Sequence, residues 1–126
     1  MKKLESEVLE YLKERQWDNM RPSDIAKSIC IEAAELLELF QWSSLSIEET
    51  KADEKLMAEL KKELADVIIY SLDMAVLLGL DTRAIVLDKL NYVKEKYPVD
   101  KMTKQDNPEF DAGAEYVRIR DEYRKK

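Results

Sequence analysis

Apolar residues recur every three or four positions along most of this chain, which is the spacing of helices with one buried face. The pattern predicts helices over residues 2–16, 23–42, 46–79, 82–97 and 111–126, with an irregular segment over 99–110. Ser23, and the pair Ser46 and Glu49, are placed to cap the second and third helices. Gly79 and Pro98 mark the ends of the third and fourth helices. The chain is therefore expected to be all-α.

Two acidic pairs, Glu32 with Glu35 and Glu63 with Asp66, interrupt the apolar stripes of the second and third predicted helices. At about 100° per residue, the first member of each pair falls inside its stripe and the second falls on the edge. A carboxylate that faces the core is costly unless a cation compensates its charge. Four carboxylates on two helices that pack face to face make an oxygen-only cage, which suits magnesium or a similar hard cation.

Composition narrows the class of protein further. The 126 residues are 45% hydrophobic and 38% charged, with only 2 Gly and 3 Pro, as expected for one soluble, helix-rich domain. The net charge of -6 argues against a basic nucleic-acid-binding surface. The single Cys30 fits a reducing cytoplasm, and no stretch resembles a signal peptide or a membrane span. A cytoplasmic protein with no membrane or nucleic-acid partner is predicted.

The chain contains no histidine, which excludes two common metal sites. Structural zinc sites need Cys or His ligands, and di-iron helical bundles need Glu-x-x-His pairs. A carboxylate-only site for a hard metal remains.

The third predicted helix is apolar on more than one side, because Ile68, Ile69, Leu72 and Val76 lie outside its main stripe. A helix that is apolar nearly all round must be buried on nearly all sides. Since one small chain offers few helices to cover it, a homodimer or homotetramer is expected.

Four motifs together give the chain a family resemblance: Glu32-Ala-Ala-Glu35, Phe40-Gln-Trp42, Glu63-Leu-Ala-Asp66 and Lys96-Tyr-Pro98. In this order the chain resembles the MazG-like all-α nucleoside triphosphate pyrophosphohydrolases, and most closely the small bacterial and dCTP pyrophosphatase types. The resemblance implies an antiparallel four-helix core, a catalytic domain over residues 1–101, and a C-terminal extension over 102–126 that contains a short helix. That extension would pack on the same domain or on a neighbouring subunit.

The resemblance also implies a reaction: hydrolysis between the α and β phosphates, giving a nucleoside monophosphate and pyrophosphate, in the service of nucleotide-pool housecleaning. Glu32, Glu35, Glu63 and Asp66 would bind Mg2+, for which Mn2+ could substitute. Glu35 is predicted to activate the attacking water. Glu38, one turn further on, is a second candidate for orienting a water, and its alternative is a solvated helix face.

Five further residues are candidates for substrate binding. Trp17 and Trp42 lie beside helix ends near the predicted site, where an aromatic ring can stack on a base; the alternative for each is core packing. Tyr70, one turn after Asp66, is a candidate for the sugar, or else a core tyrosine. Lys89 and Lys96 are candidates for the β and γ phosphates, or else solvated lysines.

Three other functions remain open at this point. Phosphoribosyl-ATP pyrophosphohydrolases and dimeric dUTPases share the acidic pairs, although Phe40-Gln-Trp42 and Tyr97-Pro98 favour the MazG-like branch. A non-catalytic helical dimerisation module is the alternative from another class, but it has no need of four carboxylates directed at one point.

Overall fold

The computed structural model of the protein describes residues 1–102 and 111–125. Within these two ranges every regular element is an α-helix, so the all-α prediction is confirmed. The helices are α1 (Lys2–Glu14), α2 (Pro22–Glu38), α3 (Ile47–Ala52), α4 (Glu54–Leu77), α5 (Thr82–Lys96), α6 (Val99–Met102) and α7 (Ala112–Arg124). None of them, over the residues described, is both long and apolar enough to cross a membrane.

Helix α2 ends earlier than predicted, and a different residue caps its start. Arg21, not Ser23, is its N-cap residue, and no side chain caps it. Pro22 starts the helix because its fixed φ suits the first helical position and its missing N–H needs no partner there. The helix ends at Glu38 and not at Trp42, since the Phe40 N–H donates to the Leu37 carbonyl in a tighter turn.

The third predicted helix is divided into α3 and α4. The capping box that begins α3 is confirmed: Glu49 N–H donates to Ser46 Oγ at 3.1 Å, and Ser46 N–H donates to a Glu49 carboxylate oxygen at 3.2 Å. Asp53 then interrupts the helix, because its backbone is extended and its side chain accepts from Leu56 N–H at 3.0 Å. Aspartate favours this N-cap role over a helix interior.

Helix α4 ends at the predicted glycine. Gly79 has a φ of 68°, in the left-handed region that glycine adopts without strain. The turn lets Leu80 N–H donate to the Ala75 carbonyl at 2.8 Å, which satisfies a carbonyl that the end of the helix would leave unpaired.

Residues Met1–Thr82 form one compact unit, which contains α1 to α4. In this unit α2 and α4 pack along one another, and α1 packs against α4. Val8 and Leu12 from α1 and Leu72 from α4 form the buried core, and Ile25 of α2 is also fully buried. The two helices that carry the acidic pairs are therefore direct neighbours.

Residues Arg83–Lys126 form the second compact unit, with α5, α6 and α7. Helix α6 occupies the start of the segment predicted to be irregular, because the Pro98 carbonyl accepts from Lys101 N–H at 3.0 Å and opens a helical turn. The remainder of that segment, 103–110, lies outside the described residues. The predicted final helix is confirmed as α7, and Tyr116 on it stacks on Tyr97 with ring centroids 5.1 Å apart. The functional boundary at residue 101 stays a prediction.

Candidate metal and nucleotide site

Three of the four predicted metal ligands meet between α2 and α4. Glu32, Glu63 and Asp66 each offer a carboxylate oxygen, and these oxygens lie within 4.8 Å of one another. The i, i+3 spacing on α4 places Glu63 and Asp66 on one face of that helix, opposite Glu32. Each of the three side chains is only partly exposed. Such a set can bind one hard divalent cation through oxygen alone.

Glu35 lies at the exposed edge of this cluster, outside the three-residue set. Burial is the first cause that raises the pKa of Glu32, followed by a side-chain hydrogen bond with Glu35 and by repulsion from the neighbouring carboxylates. The pKa of Glu63 is raised by burial first and then by Glu35 in the same way, with a smaller repulsion from Glu38. The cluster therefore holds more negative charge than its surroundings compensate.

Two buried oxygens of the cluster have no donor among the described residues. These atoms are Glu32 Oε2 and Glu63 Oε2. A buried acceptor without a partner costs about 1–3 kcal/mol, and more when it is charged. A divalent cation would satisfy both oxygens at once, so the donor set fits the predicted metal.

A cleft of about 640 Å³ opens beside Asp66. Most of its wall is apolar or aromatic, and its volume lies within the range of small-molecule sites. Its lining comprises Leu4, Glu7, Val8, Tyr11, Leu12, Trp17, Met20, Asp66, Ile69, Tyr70 and Asp73. An acidic end and an apolar, aromatic body together suit a phosphorylated aromatic ligand.

The turn that ends α1 brings Trp17 to this cleft. Trp17 N–H donates to the Leu12 carbonyl at 2.8 Å, across Gln16, whose φ of 57° is left-handed. A non-glycine residue costs about 1–2 kcal/mol in this conformation. The Trp17 ring packs edge to face on the Tyr11 ring, with the ring centroids 5.8 Å apart, and Trp17 remains half-exposed. Trp17 is thus not a core residue, and Tyr70 lines the same cleft.

Trp42 is placed differently. It is 91% exposed in the turn after α2 and does not line the cleft. Core packing within the chain is therefore wrong for Trp42, and its contact with a base stays a prediction. Glu38 is also exposed, near enough to Glu63 to repel it.

Both predicted phosphate-binding lysines belong to α5, in the second unit. Lys89 Nζ lies 4.7 Å from the centroid of the Tyr92 ring. Lys96 Nζ lies 4.8 Å from the Tyr123 ring and 5.3 Å from the Tyr97 ring. These contacts stabilise the ammonium groups against aromatic faces. The proposed roles of both lysines in phosphate binding stay predictions.

Asp73 lines the cleft, and the sequence analysis missed it. Its side chain is 3% exposed, and burial raises the pKa of its carboxyl. Its Oδ1 has no hydrogen-bond partner in the part of the chain that the structure describes. The signal was available, because Asp73 stands between Leu72 and Met74 in an apolar run, as Glu63 stands in its own stripe. Asp73 was not identified as a candidate because it belongs to neither acidic pair.

Comparison with known proteins gives a consistent family. Residues 27–108 match the model of the MazG-like family. The chain is 34% identical to dCTP pyrophosphatase 1 of Rattus norvegicus over 92 residues, which is 71% of this chain and 54% of that protein. It is 31% identical to dCTP pyrophosphatase 1 of Homo sapiens over 91 residues. The chain thus spans about half the length of these relatives.

A solved structure matches over a larger share of its length. It is the crystal structure of a pyrophosphatase from Archaeoglobus fulgidus DSM 4304, with a TM-score of 0.68 and 36% sequence identity. The match covers 78% of this chain and 92% of that one. The all-α architecture is therefore the one found in a solved pyrophosphatase.

The raised pKa values predict how metal-free stability depends on pH. A carboxyl whose pKa is higher in the folded state stabilises the fold when it is protonated, and that contribution is lost as pH rises through the folded-state pKa. Between the ordinary glutamate value of 4.5 and neutrality, lowering the pH should therefore raise the melting temperature of the metal-free protein. Thermal melting across this range, with and without Mg2+, measures the effect. Mg2+ should raise the melting temperature most at the higher pH, where protons compete least.

A matched variant separates the effect of the acidic cluster on this pH dependence from that of the other carboxylates in the chain. Glu63→Gln should flatten the pH dependence, whereas Glu59→Gln, an exposed change one turn earlier on α4, should leave it intact. The same pH slope in both variants would show that the cluster does not store this repulsion. The pKa of Glu115 is lowered, chiefly by its hydrogen bond with Arg118, so its ionised form stabilises the fold. That stabilisation is lost as pH falls through the folded-state pKa, below the pH range of this experiment.

Proposed function

The chain belongs to the MazG-like family, and from this premise we propose that it is a divalent-metal-dependent nucleoside triphosphate pyrophosphohydrolase. The observation that carries the proposal is the cluster of Glu32, Glu63 and Asp66, with two unpartnered buried oxygens, at the end of an aromatic cleft. Two relatives are named dCTP pyrophosphatases and one solved structure is named a pyrophosphatase, which agrees with an activity that releases pyrophosphate. The products would be a nucleoside monophosphate and pyrophosphate.

In this proposal Glu32, Glu63 and Asp66 hold Mg2+, and Glu35, at the exposed edge of the cluster, is the fourth ligand. The cation would supply positive charge to the triphosphate and to the leaving pyrophosphate. Mn2+ has the same preference for oxygen ligands and can replace it. A single packed interface between α2 and α4 thus sets the position of the reacting phosphates.

Glu35 is the proposed base. Its side chain is exposed to solvent at the edge of the cluster, so its carboxylate can orient a water and accept its proton. The water oxygen forms a bond to the α phosphorus, and the bond from that phosphorus to the bridging oxygen breaks. Pyrophosphate departs with the bridging oxygen. Glu38, also exposed, is proposed to orient water near Glu63.

The aromatic cleft is the proposed nucleoside site. The Trp17 and Tyr11 rings offer surfaces on which a base can stack, and Tyr70 lies one turn from Asp66, where the sugar would follow the α phosphate. Trp42 is proposed to reach the base from its exposed turn. Lys89 and Lys96 are proposed to bind the β and γ phosphates.

The proposed biological role is the removal of unwanted nucleotides from the cytoplasmic pool. Deoxycytidine triphosphate is the first substrate to test, because the relatives from Rattus norvegicus and Homo sapiens are named for it.

The identity of the products tests the activity directly. With Mg2+ the protein should release pyrophosphate from a nucleoside triphosphate, and Glu63→Gln should lower kcat by more than about 100-fold, because losing even the groups that support metal ligands costs about 10- to 100-fold. A coupled pyrophosphate assay and nucleotide chromatography measure both. Glu59→Gln is the control and should keep full activity. Orthophosphate as the first product, or an active Glu63→Gln, contradicts the proposal.

The two tryptophans can be tested separately, since the chain has no others. Trp17→Ala should weaken nucleotide binding by about 1–3 kcal/mol, the usual scale for one stacked base. Trp42→Ala should weaken it similarly without lowering the melting temperature, because its ring is 91% exposed. Calorimetry measures the affinity for nucleotide. The variants Trp42→Phe and Trp17→Phe each keep a single tryptophan, whose fluorescence reports nucleotide binding at that position. An emission that does not respond to nucleotide excludes that ring from the base site.

A homodimer or homotetramer is proposed as the active form. Leu64 and Ile68, adjacent on one face of α4, are 44% and 46% exposed in the single chain. Light scattering should report at least a dimer at micromolar concentration, and Ile68→Glu should dissociate it, because a charge in an apolar interface is costly. Ile47→Glu on α3, where an exposed isoleucine begins a helix, is the matched control. A monomeric, active wild-type protein contradicts this part of the proposal.

A further inference from the structure

One oxygen of the buried Asp73 carboxyl has no hydrogen-bond partner among the described residues. In proteins a buried carboxylate is usually paired with a cation or accepts several hydrogen bonds. Asp73 is 3% exposed, its Oδ1 meets no donor in the described part of the chain, and the residues that line the cleft around it include no lysine or arginine. This arrangement destabilises the empty protein. It becomes favourable when a ligand in the cleft supplies a hydrogen-bond donor.

The position of Asp73 on α4 defines which part of a ligand it would meet. Asp73 follows Asp66 by seven residues, so both lie on nearly the same side of the helix and are about 10 Å apart along its axis. Tyr70 lies between them and lines the same cleft. The distance from Asp66 to Asp73 is about the length of one nucleoside. A nucleotide with its phosphates at the acidic cluster and its sugar beside Tyr70 would therefore place the edge of its base at Asp73.

The chemistry of a carboxyl group then restricts the base. A carboxylate oxygen accepts hydrogen bonds, and acidic side chains read cytosine by accepting from its amino group. Uracil and thymine carry a carbonyl at that position, which would leave two acceptors facing each other without a donor. Adenine and hypoxanthine differ in the same way. A buried polar group that loses its partner rejects the wrong substrate strongly.

We propose that Asp73 accepts a hydrogen bond from the exocyclic amino group of the base, and so makes the protein select cytosine or adenine nucleotides over their carbonyl counterparts. This inference rests on the proposed function and extends it to a specificity-determining residue. The two bases share the recognised amino group, and the size of the cleft alone does not separate them.

Two matched substrate pairs test the inference: dCTP with dUTP, and dATP with dITP, each of which exchanges that amino group for a carbonyl oxygen and the adjacent ring nitrogen for an N–H. In wild type, kcat/KM should favour the amino-bearing member of at least one pair by about tenfold or more, the scale of one hydrogen bond to a charged group. Asp73→Asn should reduce that ratio to about one, because an amide can both accept from an amino group and donate to a carbonyl. Asp73→Leu, which offers no hydrogen bond, should lose activity on the amino-bearing substrate in particular.

The control is Asp24→Asn, an exposed change on α2 whose partner is the exposed Lys27, and it should leave the ratio unchanged. Melting temperatures verify that each variant is folded, and Asp73→Leu should melt higher than wild type, since it removes an unpartnered buried carboxyl. An unaltered ratio in folded Asp73→Asn overturns the inference. So does a wild-type protein that prefers the amino-bearing member of neither pair.

Binding separates this inference from the proposed reaction. Calorimetry with dCMP and dUMP in the presence of Mg2+ measures base selection without turnover. Tighter binding of dCMP that is lost in Asp73→Asn supports the role of Asp73 even if no triphosphate is hydrolysed. Equal affinities of the two monophosphates, or no binding of either, overturn it while leaving the pyrophosphate assay to decide the reaction.

Discussion

The partial burial of neighbouring carboxylates at the interface of α2 and α4 is the constraint on which the rest of the site depends. Glu32 and Glu63 are held together by the apolar residues above and below them on each helix, although burial and Glu35 raise the pKa of both. Hydrophobic burial along the two helices offsets this local cost. The result is a preformed cluster of negative charge that only protons or a cation can neutralise. A preformed cluster of this kind is what a divalent metal requires for binding.

Helix α4 also forms one wall of the cleft, whose other lining residues come from α1 and the turn after it. Helix α4 faces α2 with its acidic residues and faces α1 with the core residue Leu72. The cleft opens where the end of α1 turns away at Gln16 and carries Trp17 with it. Helix α4 thus carries Asp66 of the acidic cluster, Tyr70 and Asp73 in sequence, so that a ligand extended along α4 would meet charge first, then an aromatic ring, then a single buried acceptor.

Local unfavourable features are concentrated around this cleft. The left-handed Gln16, the unpartnered oxygens of Glu32 and Glu63, and the buried Asp73 each lower stability in the absence of a ligand. Such features persist where the surrounding structure determines them and where function uses them. Two helix ends away from the cleft are satisfied within the chain, by the Ser46 capping box and by the turn at Gly79. The contrast supports a functional assignment for the cleft.

The sequence by itself determined the all-α class, most helix boundaries and the i, i+3 spacing within each acidic pair, because these depend on interactions within a few residues. Helical spacing places Glu63 and Asp66 on one face whatever surrounds them, and Gly79 ends a helix by its own backbone freedom. The start of α2 and the break at Asp53 were missed because two local preferences competed there, those of Pro22 against Ser23 and of Asp53 against the continuing helical pattern. Only the tertiary structure decided that Glu32 meets Glu63 and Asp66, that Trp17 lines a cleft and Trp42 is exposed, and that one oxygen of the buried Asp73 has no partner among the described residues. Those outcomes depend on which distant side chains cover each residue, and a one-dimensional pattern does not contain that information.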